Sequence, residues 1–198
     1  MFILPNYVIS EQIHESSRVK VYRGYSLENR VPVILKVLEK EYAEPDKIAS
    51  LIHEYEITRS LNIEGVIRPE KIVQTSSVVV LITRDLGAIS LNKYIQTHSI
   101  DLQGFLKIAI QISETLGRLH NHGIVHGDLK PSNVLIDTYE KVYIIDFGSA
   151  ISLLSKNQNP LLQSSERTFE YMPPEQTGLL NIGIDYRSDF YSLGVMLY

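Results

Sequence analysis

At 198 residues, 44% of them hydrophobic and 21% charged, the chain is long enough to bury a sizeable core and has the composition of a globular protein. A net charge of -4 supplies no general electrostatic attraction to nucleic acid or to an anionic membrane surface, so neither is expected as a partner. With no cysteine, disulfide frameworks and thiolate metal sites are excluded, and the cytoplasm is the expected compartment.

The opening Met1-Phe2-Ile3-Leu4-Pro5 lacks the basic region and long apolar run of a secretory signal. The longest purely apolar stretch, near residues 78–82, falls far short of the roughly 20 residues needed to span a bilayer, and no membrane segment is predicted. The first third alternates with a period of two through Tyr7-Val8-Ile9, Val19-Lys20-Val21-Tyr22 and residues 31–38, with polar turns such as Glu28-Asn29-Arg30 between. This predicts a three-stranded meander. Pro45 and Asp46 suit a helix start, and Ile48, Leu51, Ile52, Tyr55 and Leu61 then fall near helical spacing. Residues 67–73 and the β-branched run 78–83 are short enough to be buried strands, which completes a five-stranded sheet with one helix.

Gly87 interrupts that pattern. From 101 to 122 the residues Leu102, Phe105, Ile108, Ala109, Ile112, Leu116 and Leu119 trace one helix face, and Gly123 ends it. Two short strand-like runs follow at 134–136 and 142–145, each beside a polar motif, and the polar stretch 155–167 is predicted as a loop. The chain turns from sheet-rich to helix-rich near residue 87, an α+β pattern.

The candidate chemistry lies in the polar motifs. His126-Gly127-Asp128-Leu129-Lys130-Pro131-Ser132-Asn133 sets a carboxylate and a carboxamide five positions apart on a loop between the long helix and a strand, and Asp146-Phe147-Gly148 follows the next strand. Phosphoryl transfer from a nucleotide needs a base for the acceptor hydroxyl, oxygen ligands that hold metal ions on the phosphates, and a cation that positions them. The ordered set supplies all three. Taken singly, Asp128 and Asn133 have a blander alternative as caps of a turn. Taken together, the two motifs resemble the catalytic loop and the metal-binding loop of the protein kinase family.

That resemblance implies a two-lobed protein-kinase-like fold. Residues 1–86 would form an N-lobe with a five-stranded antiparallel sheet and one helix, and residues 87–198 a mainly helical C-lobe, incomplete at its end. It implies that Asp128 accepts or orients the proton of the acceptor hydroxyl, that Lys130 stabilises charge on the transferred phosphoryl group, and that Asn133 and Asp146 bind Mg2+. Val33-Ile34-Leu35-Lys36 resembles the strand whose lysine reaches the α- and β-phosphates of ATP. Glu54 and Glu56 compete as the partner of Lys36; counting back from Leu61 in the family pattern favours Glu54, with Glu56 about 200° around the helix. The same alignment puts Thr83 at the gatekeeper position and residues 84–87, among them Arg84 and Leu86, where backbone meets adenine. Val21 and Leu135 would sandwich the base, with Ile34 as its roof.

Further on, Arg167-Thr168-Phe169-Glu170-Tyr171-Met172-Pro173-Pro174-Glu175 resembles the end of a kinase activation segment, and Asp185-Tyr186-Arg187-Ser188-Asp189-Phe190-Tyr191-Ser192-Leu193-Gly194 the helix that anchors the catalytic loop. Small-molecule phosphotransferases of the aminoglycoside and choline kinase type share the catalytic core but lack this later pair. Lys130 and Thr168 fit the Ser/Thr class, with Thr168 counted among the catalytic residues. The implied activity is transfer of the γ-phosphate of Mg-ATP to Ser or Thr hydroxyls of a protein substrate in signal transduction. Two departures keep a pseudokinase, or a binding module without catalysis, as the alternative: His14, Ser16 and Val19 stand at the three positions of the glycine-rich loop, and Ile34 replaces a small alanine. Gly127 stands where many regulated kinases carry an arginine that pairs with a loop phosphate, so weak dependence on phosphorylation at Ser164, Ser165 or Thr168 is expected. Pro32-Val33-Ile34-Leu35-Lys36, Pro174-Glu175-Gln176-Thr177-Gly178 and Asp185-Tyr186-Arg187-Ser188-Asp189-Phe190 are similar to the kinase module that heads large bacterial, particularly cyanobacterial, multisensor signalling proteins. That likeness implies a C-terminal continuation with sensor or regulatory domains.

Overall fold

Alternating apolar residues in the first 86 positions build a sheet with two differently used faces. The computed structural model describes residues 4–16, 19–41, 43–154, 169–178 and 183–198. The chain divides into two units, one of Met1–Leu61 with Ile67–Leu86 and the other of Asn62–Val66 with Gly87–Tyr198. In the first, β1 (Tyr7–Glu15), β2 (Val19–Ser26), β3 (Pro32–Glu39), β4 (Pro69–Gln74) and β5 (Val78–Arg84) form one antiparallel sheet in the order β1-β2-β3-β5-β4. One face carries Val33, Leu35, Val37, Val80 and Ile82, each fully buried, with Leu4 and the half-buried Tyr7, Ile9 and Tyr22 packed on them. On the other face, helix α1 (Pro45–Thr58) sets Leu51 and Ile48 against Leu38, Val79, Leu81 and Val19.

β1 runs well past the three residues that the alternation marks. Its continuation through Ser10, Glu11, Gln12, His14 and Glu15 is an exposed edge with register irregularities at Ile9/Glu11 and Gln12/His14, so no apolar face records it in the sequence. Deleting side-chain volume from the other, dry face is the costly change. Leu35→Ala is expected to lower unfolding stability by about 2–5 kcal/mol in a chemical denaturation series, whereas Gln12→Ala on the edge strand changes it by about 0.5 kcal/mol or less.

The second unit is organised by α3 (Leu102–Asn121), whose Ile112, Leu116 and Leu119 are fully buried and whose first turn is capped by Asp101 accepting from the Gly104 N–H at 2.7 Å. Strands β6 (Ile89–Ser90), β8 (Val134–Ile136) and β9 (Val142–Ile144) form a small antiparallel sheet, and β7 (Ile124–Val125) pairs with β10 (Ile151–Ser152). Helix α2 (Leu91–Thr97) has no counterpart in the hydrophobic pattern because it buries only Leu91; its one local signal is Ser90, whose hydroxyl accepts from the Lys93 N–H. Helix α4 (Tyr186–Leu197) is capped by Asp185. Segment 62–66 joins this unit because the Ile144 N–H donates to the Gly65 carbonyl at 2.7 Å and Val66 bridges Ile144. No helix among the described residues is long and apolar enough to cross a membrane.

At the turn between β8 and β9, Asp137 accepts the N–H groups of Tyr139 and Lys141 and, at 3.1 Å, the Tyr143 hydroxyl. Burial first, then this bond to a carboxylate, pushes the Tyr143 phenol from 10.0 up to about 12. A folded-state value above the unfolded one means that its stabilising contribution is complete below pH 10.0 and lost as pH rises towards 12. Unfolding free energy should therefore fall across that interval, and Tyr143→Phe should remove part of the fall.

Candidate active site

In the first unit, period-two geometry puts the candidate nucleotide-binding residues of the sheet on one side. Cross-strand partners share a face, and the pairs Val21 with Lys36, Arg23 with Ile34 and Ile34 with Thr83 put Val21, Ile34, Lys36 and Thr83 all on the face that α1 packs against. There the Lys36 ammonium meets Glu54 of α1 at 2.8 Å, with the Glu54 side chain only 10% exposed. Glu56 points elsewhere and pairs with Arg59 at the surface. Arg84 ends β5 exposed, Leu86 is half-buried, and between them Asp85 is fixed by its N–H on the Pro32 carbonyl at 3.0 Å and by Arg23 on its carboxylate at 2.6 Å. At the turn end of the β1/β2 hairpin, the Ser16 N–H donates to the Val19 carbonyl at 2.9 Å and the Val19 N–H to the Ser16 hydroxyl at 3.1 Å. His14 lies opposite Val21.

In the second unit, the loop after β7 converges on Asp128. One of its oxygens, Oδ2, accepts from Lys130 Nζ at 2.8 Å and from Asn133 Nδ2 at 3.1 Å, which leaves Oδ1 for an incoming donor. Asn133 is held by a second bond from its Nδ2 to the Asp128 carbonyl at 2.8 Å and by a short 3-10 turn, Pro131–Asn133. Beneath the loop lies His126, fully buried. Its Nδ1 accepts from the Asp128 N–H at 3.3 Å, so the ring proton sits on Nε2, which donates to the Ile145 carbonyl at 3.0 Å. Phe147 packs edge-on against that ring. The Ile145 N–H bonds in turn to the Asn133 carbonyl at 2.9 Å, so the residue before Asp146 is fastened to both motifs.

Asp146 adopts a left-handed backbone, φ 68 and ψ 69, a conformation uncommon outside glycine and accepted more readily by Asp than by most residues. Both bonds from the Asn133 amide nitrogen go to Asp128, which orients the amide and its Oδ1. That amide oxygen and the Asp146 carboxylate are hard donors of the kind Mg2+ takes in small number when phosphate oxygens complete its shell, so the residues present fit the ion. No cluster of three His, Cys, Asp or Glu suited to a metal occurs among the described residues. Leu135, on β8 between them, is half-buried and pairs with Ser90 and Tyr143.

The loop does not hold this shape alone. From α4 the buried Asp189 accepts the N–H of His126 and of Gly127, each at 2.9 Å, together with His120 Nε2 at 2.8 Å. On the same helix Ser188 donates to the Glu175 carboxylate and Ser192 to the Tyr171 carbonyl at 2.8 Å. Residues 171–175 are thereby fastened to the helix that fastens the loop. Sequence reading took this helix as a whole; its buried serines, spaced i, i+4 around an aspartate in an apolar helix, were the signal for the individual contacts. Thr168, Ser164 and Ser165 lie outside the described residues.

Residues 7–198 match the protein kinase domain. The chain belongs to the protein kinase domain family. This kinase domain is 27% identical over 199 residues to serine/threonine-protein kinase ULK3 of Xenopus laevis, covering 98% of the chain and 42% of that protein. It is 28% identical over 203 residues to CBL-interacting protein kinase 10 of Oryza sativa subsp. japonica (99% and 44%) and 30% identical over 183 residues to the probable serine/threonine-protein kinase kinX of Dictyostelium discoideum (90% and 16%). The chain spans less than half the length of these relatives. Use of ATP and Mg2+ is general to the family.

Gly127 is among the glycines of this kinase domain whose surroundings leave no room for a side chain. Gly127 has φ +76, and a Cβ there would stand 2.7 Å from the Ser149 carbonyl oxygen, where no real side chain is found. Gly127→Ala should therefore lower unfolding stability by about 1–3 kcal/mol. Gly178→Ala, also at φ +76 but with nothing within 4 Å, should cost about 1 kcal/mol; equal losses at the two sites in parallel melts would show that the contact with Ser149 does not matter.

Proposed function

We propose that this kinase domain transfers the γ-phosphate of Mg-ATP to a Ser or Thr hydroxyl of a protein. The observation that carries the reading is the Asp128 carboxylate, with one oxygen engaged by Lys130 and Asn133 and the other available to an acceptor hydroxyl. In this reading Asp128 Oδ1 orients the hydroxyl and takes its proton as the oxygen attacks phosphorus in line with the departing ADP. Lys130 turns its charge towards the transferred group, and Asn133 with Asp146 holds Mg2+. Held there, the ion would supply positive charge that neutralises the phosphates. Lys36, kept extended by Glu54, meets the α- and β-phosphates; Val21, Ile34, Thr83, Arg84, Leu86 and Leu135 serve the adenine. Thr168 is assigned to the acceptor side with Lys130. A small recess beside the base, about the size of one water molecule, is lined by Asp128, Leu129, Tyr171, Met172 and Gln176. Proteins with exposed Ser or Thr are the partner class, and the compartment is the cytoplasm. The Xenopus laevis and Dictyostelium discoideum relatives are serine/threonine-protein kinases by name, which supports the same acceptor class.

A second reading, a domain that binds partners without catalysis, draws on the β1/β2 hairpin. The Ser16 and Val19 N–H groups are engaged within it, and a phosphate-covering loop relies on free N–H groups. The two readings differ in one assay. With labelled Mg-ATP and a generic protein acceptor, transfer by the parent should fall at least about a hundredfold in Asp128→Asn while Mg-ATP affinity stays within about twofold, because the base acts on the acceptor alone. Absence of transfer by the parent would favour the binding module. In the same assay Lys36→Met is expected to weaken Mg-ATP binding and also to lower stability, since it leaves the nearly buried Glu54 carboxylate without its cation.

A further inference from the structure

We infer that Gln176 is a positioning residue for Asp128, locking the orientation of the peptide unit from which that carboxylate projects; this rests on the reading of Asp128 as the base. The carbonyl of Gly127 and the N–H of Asp128 belong to one planar peptide group. Gln176 Nε2 donates to that carbonyl at 3.0 Å, and His126 Nδ1 accepts from that N–H at 3.3 Å, so the plane is gripped at both ends by side chains. The grip has a reason. Gly127 at φ +76 has no Cβ to restrict rotation of the plane, and its own N–H, held by Asp189, fixes only the preceding peptide. Of the two ends, His126 approaches from the core, whereas Gln176 comes from the 3-10 turn Pro174–Thr177 on the side of the recess.

The base of Gln176 is itself fixed by hydrogen bonds of its neighbours. Its N–H bonds to the Pro173 carbonyl at 3.0 Å, the neighbouring Glu175 is tied to Ser188, and Tyr171 is tied to Ser192, both serines buried on α4. The segment that borders the recess and the loop that carries the base thus share a neutral hydrogen bond. Its donor is an amide, which a glutamate of the same shape lacks, since an ionised carboxylate only accepts.

The test uses this chain with three side chains at 176, reading kcat, KM for ATP, and hydrogen exchange at the Asp128 amide, whose protection reports the plane. Gln176→Glu is expected to lower kcat about tenfold with KM for ATP within about twofold, and to speed exchange at Asp128. Gln176→Lys restores a donor and should bring kcat and exchange back to within about threefold of the parent. A Gln176→Glu chain with parental exchange and kcat would overturn the inference, as would Gln176→Lys behaving like Gln176→Glu, which would mean that any change at 176 disturbs the turn. Should the parent transfer no phosphate, the functional reading falls, and the exchange comparison still decides whether Gln176 holds the plane.

Discussion

The second unit depends on one carboxylate. Asp189 is 1% exposed and takes two backbone N–H groups of the loop at His126 and Gly127 as well as the His120 ring. Consecutive N–H groups aimed at one point form a local positive end, and a buried carboxylate answers it with charge-assisted hydrogen bonds. Everything that follows in the loop hangs from this junction. The left-handed turn at Gly127 directs the chain onward to Asp128, Asn133 closes back onto Asp128, and His126 reaches the Ile145 carbonyl beside Asp146. The helix that supplies Asp189 also supplies Ser188 and Ser192, so one buried polar face sets the positions of the loop and of residues 171–175.

The first unit solves a different problem, that of keeping an ammonium group available on a sheet that is otherwise dry. Lys36 lies between the fully buried Leu35 and Val37, yet alternation turns it to the opposite face, where Glu54 of α1 meets it. The ion pair offsets the cost of burying the Glu54 carboxylate, and α1 is held in place by Leu51 and Ile48 against Leu38, Val79 and Leu81. Apolar packing thus sets where the charge pair can form, while the hairpin end, closed by Ser16 on Val19, departs from a glycine-rich design.

Much of this was legible from residues alone because the informative features are local. The five strands and α1 announce themselves through period-two and helical spacing, and Asp128, Asn133 and Asp146 through motifs a few positions long. Between Glu54 and Glu56 the count back from Leu61 in the family pattern favoured Glu54, and the structure pairs Glu54 with Lys36 and Glu56 with Arg59. What escaped is non-local or unburied. The contact of Gln176 with Gly127 crosses 49 positions, that of Asp189 with His126 63, and neither has a periodic signature. Helix α2 and the outer half of β1 bury too little apolar surface to pattern the sequence.

The dependence of the loop on Asp189 is the central physical claim, and Asp189→Asn tests it most directly. The replacement keeps the shape but offers one acceptor oxygen where two N–H groups and His120 converge, and it points an NH2 at one of them. Phosphate transfer from Mg-ATP to a protein acceptor is predicted to fall at least about tenfold, with faster hydrogen exchange at the His126 and Gly127 amides, while binding of Mg-ATP persists. Parental transfer and parental protection in the Asn variant would contradict the account.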